Sequence, residues 1–373
     1  MDPISHNTRF LRSVIGLLTL LLAGTVLGSG LTAPAGFTVS ILVDDIPNAR
    51  SMALGASGTL YVATRRAGNV YAVTDALSGQ GQVATIATGL TMPNGIAWRD
   101  GDLYVAEPSR VLRYADIESR LDNPPDPVIV DAALPVKGKL HAWRYIGFGP
   151  DDLLYVSIGA PCNICDEPNL GQILRMRPDG SNREVFARGV RNSVGFDWHP
   201  QTGEMWFTDN GRDMLGDELP PCELNRASAA GLHFGYPFCH GADVADPKLG
   251  GLGRCSESVA PAQALDPHSA PLGVRFYTGE LFPDEYRGQV FIAEHGSWNR
   301  SKAAGKTGYR VTLVRLRDGK PVSYEPFIEG FVQDDQVVGR PVDILVAPDG
   351  ALLVSDDHRG VIYRVGYAGG PGG

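Results

Sequence analysis

The chain has 373 residues and a formal net charge of −9, and 43% of it is hydrophobic, enough for a sizeable core. The acidic balance, with no basic run and no aromatic stacking platform, argues against a nucleic-acid partner. Its 46 glycines and 27 prolines are spread throughout, which suits many short strands and turns, and large all-β folds reach this length as one domain.

The N-terminus reads as a secretory signal over residues 1–30. Arg9 and Arg12 supply positive charge, Val14 to Leu27 is an apolar run, and Gly28-Ser29-Gly30 follow as small residues. The run is short for a membrane span, although an uncleaved anchor is the other reading of the same residues. No other segment could cross a bilayer, so the expected mature chain, residues 31–373, is one domain exported to the periplasm or outside the cell. The five cysteines fit an oxidising compartment. Cys162 and Cys165 form a CxxC expected to close as a local disulfide that shapes its loop. Residue 166 is Asp, not His, so this is no haem attachment site. Two of Cys222, Cys239 and Cys255 are expected to pair, and their spacing leaves open which two.

From Ser51 onward one pattern recurs: an apolar run, a turn with Gly or Asp, a second run with an aromatic or Leu, then a polar loop. The copies are SMALGASGTLYVATRRAG (from Ser51), NGIAWRDGDLYVAEPSR (from Asn94), YIGFGPDDLLYVSIGAP (from Tyr145), SVGFDWHPQTGEMWFTDNG (from Ser193), the looser LGVRFYTGELFPDEYRGQVFIAEHG (from Leu272) and VDILVAPDGALLVSDDHRG (from Val342). The aligned positions are Tyr61, Tyr104, Tyr155, Trp206, Phe291 and Leu353, at intervals of 43, 51, 51, 85 and 62 residues. A third apolar run follows most copies, and no helical stretch competes. Repeats of this kind, each with three or four short strands, predict an all-β, six-bladed β-propeller. Phe37 to Val43 is expected to supply the outer strand of the last blade and close the ring, which protects the sheet edges. The longest interval holds an insertion, residues 219–271, read as an ordered loop excursion because it is rich in Pro, Gly and Cys.

Strand parity then locates the candidate site. Residues before each first strand and after each second strand share one face. Arg50, Asn94, His141, Arg144, Arg191, Asn192 and Arg340 fall on it, with the loops 162–169, 209–218, 295–306 and 356–359. Chemically capable side chains therefore gather at one mouth of the propeller. His141 is a candidate general base, set against a hydrogen-bonded structural histidine. Arg191 and Arg340 stand at equivalent points of two blades and suggest an anionic ligand held by forked hydrogen bonds, set against ion pairs to the acidic loops. The 209–218 loop carries Asp209, Asp213, Asp217 and Glu218, hard oxygen donors for Ca²⁺ without the EF-hand spacing, and a solvated acidic turn is the plainer reading. Carbonyls near Gly211 and Arg212 could contribute to such a site. Trp298 lies among Arg300, Lys302 and Lys306, which suggests a stacking surface beside anion-binding groups. No GxSxG, HExxH, GxGxxG or P-loop motif supports a serine hydrolase, zincin, nicotinamide enzyme or kinase.

Five stretches taken together, HAWRYIGFGPDDLLYVSIGAPCNICD, GVRNSVGFDWHPQTGEMWFTDNGRDMLGDELPPCELN, HFGYPFCHG, EHGSWNRSKAAGKTGYRV and GRPVDILVAPDGALLVSDD, resemble the soluble sugar dehydrogenases that depend on pyrroloquinoline quinone (PQQ). The similarity is to the sorbosone dehydrogenase-like branch, which includes fungal pyranose dehydrogenases, and spans roughly residues 37 to 367. It implies a six-bladed propeller with PQQ at the channel mouth and Ca²⁺ beside it. By that resemblance His141 is the catalytic base, Arg191 and Asn192 the cofactor-binding pair, with Arg191 also assisting catalysis, and Arg340 a distal cofactor arginine. Gly211 and Arg212 align with backbone-carbonyl calcium ligands, although the glucose dehydrogenase branch has Pro where Arg212 stands. Asp217 and Glu218 resemble the family's acidic pair. Lys302 is a candidate for the cofactor lysine, with Arg300 as its substitute, and Arg50, Arg144 and Trp298 complete the expected cofactor contacts. The resemblance implies hydride transfer from a sugar hydroxyl or hydrated aldehyde to PQQ. An external acceptor, a cytochrome c or a quinone, would be required because no haem motif is present. Two other functions fit the same fold: a Ca²⁺-dependent lactonase-like hydrolase with Asn94, Asn192 and Asp343 as metal ligands, and a non-enzymatic ligand-binding propeller.

Overall fold

The computed structural model describes residues 30–369, so all but the last residue of the expected secretory signal lies outside the described residues. Six antiparallel units of four strands follow one another, and the sheet of the third gains a fifth strand, Leu232–His233, paired in parallel with its outer strand. Blade 1 is built from Ala49–Leu54, Leu60–Thr64, Val70–Thr74 and Gln82–Ala87. Blade 2 comprises Gly95–Arg99, Asp102–Ala106, Val111–Tyr114 and Val128–Asp131, and blade 3 Ile146–Phe148, Leu154–Ile158, Gln172–Met176 and Glu184–Arg188. Blade 4 contains Phe196–Trp198, Met205–Asp209, Cys222–Ala227 and Gln263–Leu265, and blade 5 Pro271–Phe276, Val290–Glu294, Arg310–Arg317 and Lys320–Ile328. Blade 6 takes Pro341–Val346, Leu352–Asp356 and Val361–Tyr367 from the end of the chain and Phe37–Val43 from its start. The fold is the all-β, six-bladed propeller expected from the repeats. Among the described residues the only helical elements are short 3₁₀ turns, and no helix is long and apolar enough to cross a membrane.

The repeat alignment is also a structural one. Tyr61, Tyr104, Tyr155, Trp206, Phe291 and Leu353 all lie on second strands, paired in turn with Ala53, Ala97, Gly147, Asp197, Arg275 and Leu345 of the first strands. The apolar side chains on both faces of each blade form six buried clusters, one between each adjacent pair of blades. Every sheet is thereby covered on both sides, which explains why the second strands read as near-continuous apolar runs and not as alternating ones. The inner strands pack tightly around the axis. A Cβ on Gly195 would meet the Leu272 carbonyl oxygen at 2.2 Å, and one on Gly273 the Asp343 Cα at 2.7 Å, so glycine is required where strands touch.

Phe37–Val43 pairs with Val361–Tyr367, as expected, and covers the outer edge of that strand. Phe37 fixes this closure by packing edge-on against Phe282, Tyr286, Phe327 and Tyr367. The insertion differs from the expectation of a loop from 219 to 271. Cys222–Ala227 and Gln263–Leu265 are the third and fourth strands of blade 4, so the excursion is confined to residues 228–262 between them. The alternating pattern of CELNRA was masked by the prolines before it and by its polar residues, which are buried in the ladder. Cys239 pairs with Cys255 inside this excursion, Cys162 with Cys165 in its own loop, and Cys222 is the free thiol.

Candidate active site at the mouth of the channel

A cavity of about 340 Å³ opens at one end of the central channel, on the face that parity selects. Arg50, Arg65, Arg66, Arg191 and Arg340 line it, with His141, His295, Asn192, Trp143 and Trp298. Two of the arginines are presented by one device used twice. The carboxylate that ends the second strand of blade 4, Asp209, accepts the Arg191 and Asn192 amides at 2.7 and 2.6 Å. Asp356, which ends the second strand of blade 6, accepts the Arg340 amide at 3.0 Å. Each arginine therefore enters the mouth from a backbone fixed by a buried aspartate, and the sequence repeats TDNGR and SDDHR are its trace.

The guanidinium of Arg191 donates to Asn163, to the Asn210 carbonyl at 3.1 Å and to Asp213 at 3.1 Å. The Arg340 guanidinium donates to the carbonyls of His295 and Gly296, at 3.0 and 3.1 Å, and lies over the Tyr309 ring. Arg50 is held by Asn94 at 2.7 Å and Asp357 at 2.9 Å. Arg65 stacks 3.7 Å above the Trp143 ring, and burial together with neighbouring Arg50 and Arg66 pulls it down to about 10. Against five lining guanidinium groups stand two carboxylates, Asp213 in the wall and Asp357 behind Arg50. The mouth thus keeps a surplus of three positive charges in a chain whose net charge is −9.

His141 is buried at the inner end of this cavity. Its Nδ1 lies 2.8 Å from the Ala160 carbonyl oxygen, which can only accept, so Nδ1 carries the proton and Nε2 is the acceptor. Gly159 makes the approach possible, since a Cβ there would stand 2.5 Å from the His141 carbonyl oxygen. Burial, and then the Arg191 charge, push His141 down to about 3, so the ring is neutral and able to take a proton. His295 also lines the cavity, with Nε2 at 2.8 Å from Asp357. Burial lowers it to about 4 despite that carboxylate. Against the cost of burial, His295 and Arg50 hold Asp357 well below the usual carboxylate range.

Of the residues expected at the site, Arg50, His141, Arg191, Asn192, Gly211, Trp298 and Arg340 are brought together. Arg144 is not. It is buried outside the cavity wall, donating to the carbonyls of Pro108 and Pro135 at 3.0 and 2.5 Å, and burial lowers it to about 9. Parity placed its backbone correctly, but its side chain turns to the loops of blade 2. Asp217 and Glu218 face the 298–306 loop, where Asp217 binds Ser301 through two bonds of 2.7 Å and Glu218 binds Arg300 at 2.7 Å. Neither they, Arg300 nor Lys302 lines the cavity, and Lys302 is exposed. The Arg212 side chain pairs with Asp246 of the excursion, which leaves only its backbone for the mouth. Asn94 is occupied by Arg50 and the Arg144 carbonyl, and Asp343 by the amides of Met52 and Ile344. Two of the three donors of the lactonase-like alternative are therefore engaged in holding inner strands, and the third, Asn192, lines the cavity. Among the described residues no group of three or more His, Cys, Asp or Glu is arranged to hold a metal.

Arg65, His295 and Asp357 were not singled out from sequence. Each stands four residues after the aligned aromatic or aliphatic position of its blade, as does Asn210. That repeat position lines the mouth in three blades as Arg65, Asn210 and His295, in blade 6 it sets Asp357 behind Arg50, and in blade 3 it is Gly159, which makes room for His141.

Comparison with known proteins agrees with this fold. The holo PQQ domain of pyranose dehydrogenase from Coprinopsis cinerea is 18% identical, covers 90% of this chain and 97% of its own, and superposes with a TM-score of 0.74. The PQQ-bound aldose sugar dehydrogenase from Streptomyces coelicolor is 21% identical over 90% of this chain and 99% of its own, with a TM-score of 0.65. An uncharacterized protein of Borreliella burgdorferi is 33% identical over 384 residues, 97% of this chain and 99% of that one. The glucose/sorbosone dehydrogenase profile matches residues 109–364, the greater part of the propeller with His141, Arg191 and Arg340 inside it, and the chain belongs to that family.

Proposed function

We propose that this protein is an exported PQQ-dependent dehydrogenase that oxidises a hydroxyl or hydrated aldehyde of an aldose, ketoaldose or similar sugar. The observation that carries it is the neutral His141, its acceptor nitrogen set in a cavity with three surplus positive charges. PQQ bears three carboxylates, which a mouth lined by arginines suits. Arg50, Arg191, Arg340 and Asn192 would hold those carboxylates, and the Trp298 indole offers a flat wall beside them. The backbone carbonyls of Gly211 and Arg212 are the candidate Ca²⁺ ligands; the cavity wall includes Gly211, and carbonyl oxygens suit this hard cation. When bound, PQQ supplies a quinone that accepts a hydride.

The chain's own part is proton handling and charge. His141 Nε2 would accept the hydroxyl proton, with Nδ1–H fixed on Ala160 so that the ring cannot turn. Burial and then the Arg191 charge lower the basicity of His141, and an anion bound at the mouth would offset that charge and raise it. An external acceptor, a cytochrome c or a quinone, would reoxidise the enzyme.

The test is a titration of purified protein with PQQ and Ca²⁺, followed by dye reduction with a panel of aldoses, sorbosone and glucosone. Stoichiometric uptake and bleaching of the quinone band by one sugar are expected. Absence of uptake at micromolar PQQ with Ca²⁺ present would overturn the proposal.

A further inference from the structure

We infer that Asn163, held inside the small ring closed by the Cys162–Cys165 disulfide, is the positioning residue for Arg191, so that this disulfide sets the affinity of the mouth for its polycarboxylate cofactor. The inference rests on the PQQ reading of the cavity.

Arg191 reaches the mouth as a nearly fully buried guanidinium, with 4% of its side chain exposed, so acceptors it loses cannot be replaced freely by water. Asn163 supplies two of them: its carbonyl accepts Nε at 3.0 Å and its Oδ1 accepts Nη2 at 2.9 Å. It also fixes Asp213, the carboxylate partner of Arg191. Asn163 Oδ1 accepts the Asp213 amide at 2.8 Å, and Nδ2 donates to the Asp213 carbonyl at 2.9 Å. An amide is needed for this set, because Asp could accept the three bonds to Oδ1 and the carbonyl but could not donate the fourth.

A loop residue of this kind holds an arginine only if the loop itself is fixed. Asn163 sits between the two bonded cysteines, and the loop is pinned a second time by buried Tyr236. The Tyr236 hydroxyl accepts the Cys165 amide at 3.1 Å and lies 3.7 Å from Cys162 Sγ. Opening the ring frees Asn163 to sample many conformations, and the order of Arg191 and Asp213 goes with it. The other disulfide, Cys239–Cys255, lies in the excursion of blade 4 and touches neither Arg191 nor Asn163 through any hydrogen bond among the described residues.

Three variants separate this from general loosening: Asn163→Ala, the pair Cys162→Ser with Cys165→Ser, and the pair Cys239→Ser with Cys255→Ser. Two readouts are taken on each, with thermal melts to confirm folding. One is the Kd for PQQ in the presence of Ca²⁺. The other needs no cofactor: the rate of phenylglyoxal labelling at Arg191, mapped by peptide mass. The first two variants are expected to raise the Kd about tenfold and to speed labelling at Arg191 by a similar factor, as suits loss of charge-assisted hydrogen bonds. The third is expected to leave both within about twofold. Unchanged labelling in Asn163→Ala, or equal acceleration in the Cys239/Cys255 variant, overturns the inference. If the Cys162/Cys165 variant does not fold, Asn163→Ala, which keeps both disulfides, decides alone. If wild-type protein takes up no PQQ, the cofactor reading fails while the labelling still decides whether Asn163 positions Arg191.

Discussion

At the scale of single residues, the mouth is organised by what its neutral histidines and charged arginines do to one another. Among the described residues His141 has no carboxylate partner and feels the Arg191 charge, so replacing it by Gln should remove proton acceptance without removing a charge. Turnover of the His141→Gln enzyme should fall about 10²- to 10⁴-fold, while the Kd for PQQ stays within about threefold. Comparable losses in both quantities would show that His141 serves binding. The same histidine makes a pH prediction. Folding lowers His141 from 6.5 to about 3 and His295 from 6.5 to about 4. The unfolded chain therefore binds these protons first, and the stability that their neutral forms contribute is present above pH 6.5 and lost as pH falls through that value towards 3. Melting temperature of the cofactor-free protein should drop through this window, and the double variant His141→Gln with His295→Gln should show a shallower drop.

Legibility at this scale was uneven for physical reasons. Parity alone placed Arg50, His141, Arg191, Asn192 and Arg340 on the correct face, because two antiparallel strands return the chain to the same end. It could not place the Arg144 side chain, since a backbone at the mouth does not fix the direction of a long flexible guanidinium stem. The charge of Asp217 and Glu218 and their resemblance to the family's acidic pair suggest a cation site, and the sequence does not show that Asp217 bonds Ser301 and Glu218 bonds Arg300. Ser301 and Arg300 come from another blade, and their approach is visible only in three dimensions.

At the scale of elements, each blade is specified by its turn chemistry and by how closely its inner strand must pass its neighbour. Gly195→Ala would push a methyl group onto the Leu272 carbonyl, a backbone atom that cannot rotate away. The expected cost is about 3 kcal/mol, the upper part of the range for overpacking, read as a loss of unfolding free energy in urea with no change in m-value. A cost near zero would mean that blades 4 and 5 can separate at the axis. The excursion at residues 228–262 follows the same logic. Its ends are tied by the ladder strands Cys222–Ala227 and Gln263–Leu265, Cys239–Cys255 closes it internally, and its Leu232–His233 adds a fifth strand to blade 3, so it ties blade 4 to blade 3 without adding a blade.

For the whole molecule, the decisive contact joins the two ends of the described chain. Phe37–Val43 completes the sheet of the last blade, and Phe37 puts four aromatic edges against that seam. Phe37→Ala should cost about 3 kcal/mol, the lower end for loss of a core aromatic because Phe37 is half-buried, and unfolding should remain a single transition. A separate early transition would show that the last blade melts away from a stable remainder.

The number of blades, the closing strand, the face that carries the site and the cationic character of that face follow from the sequence alone. Their causes are periodic: strand alternation, turn residues and the repeat interval are local properties of the chain. Tertiary structure alone decided the partner of each charge at the mouth, the placing of Asn163 under Arg191, the pairing of Cys239 with Cys255 and the boundaries of the excursion. Those depend on contacts between residues far apart in the chain. Which acceptor a guanidinium or a thiol meets there is set by how neighbouring blades pack, and no local pattern records it.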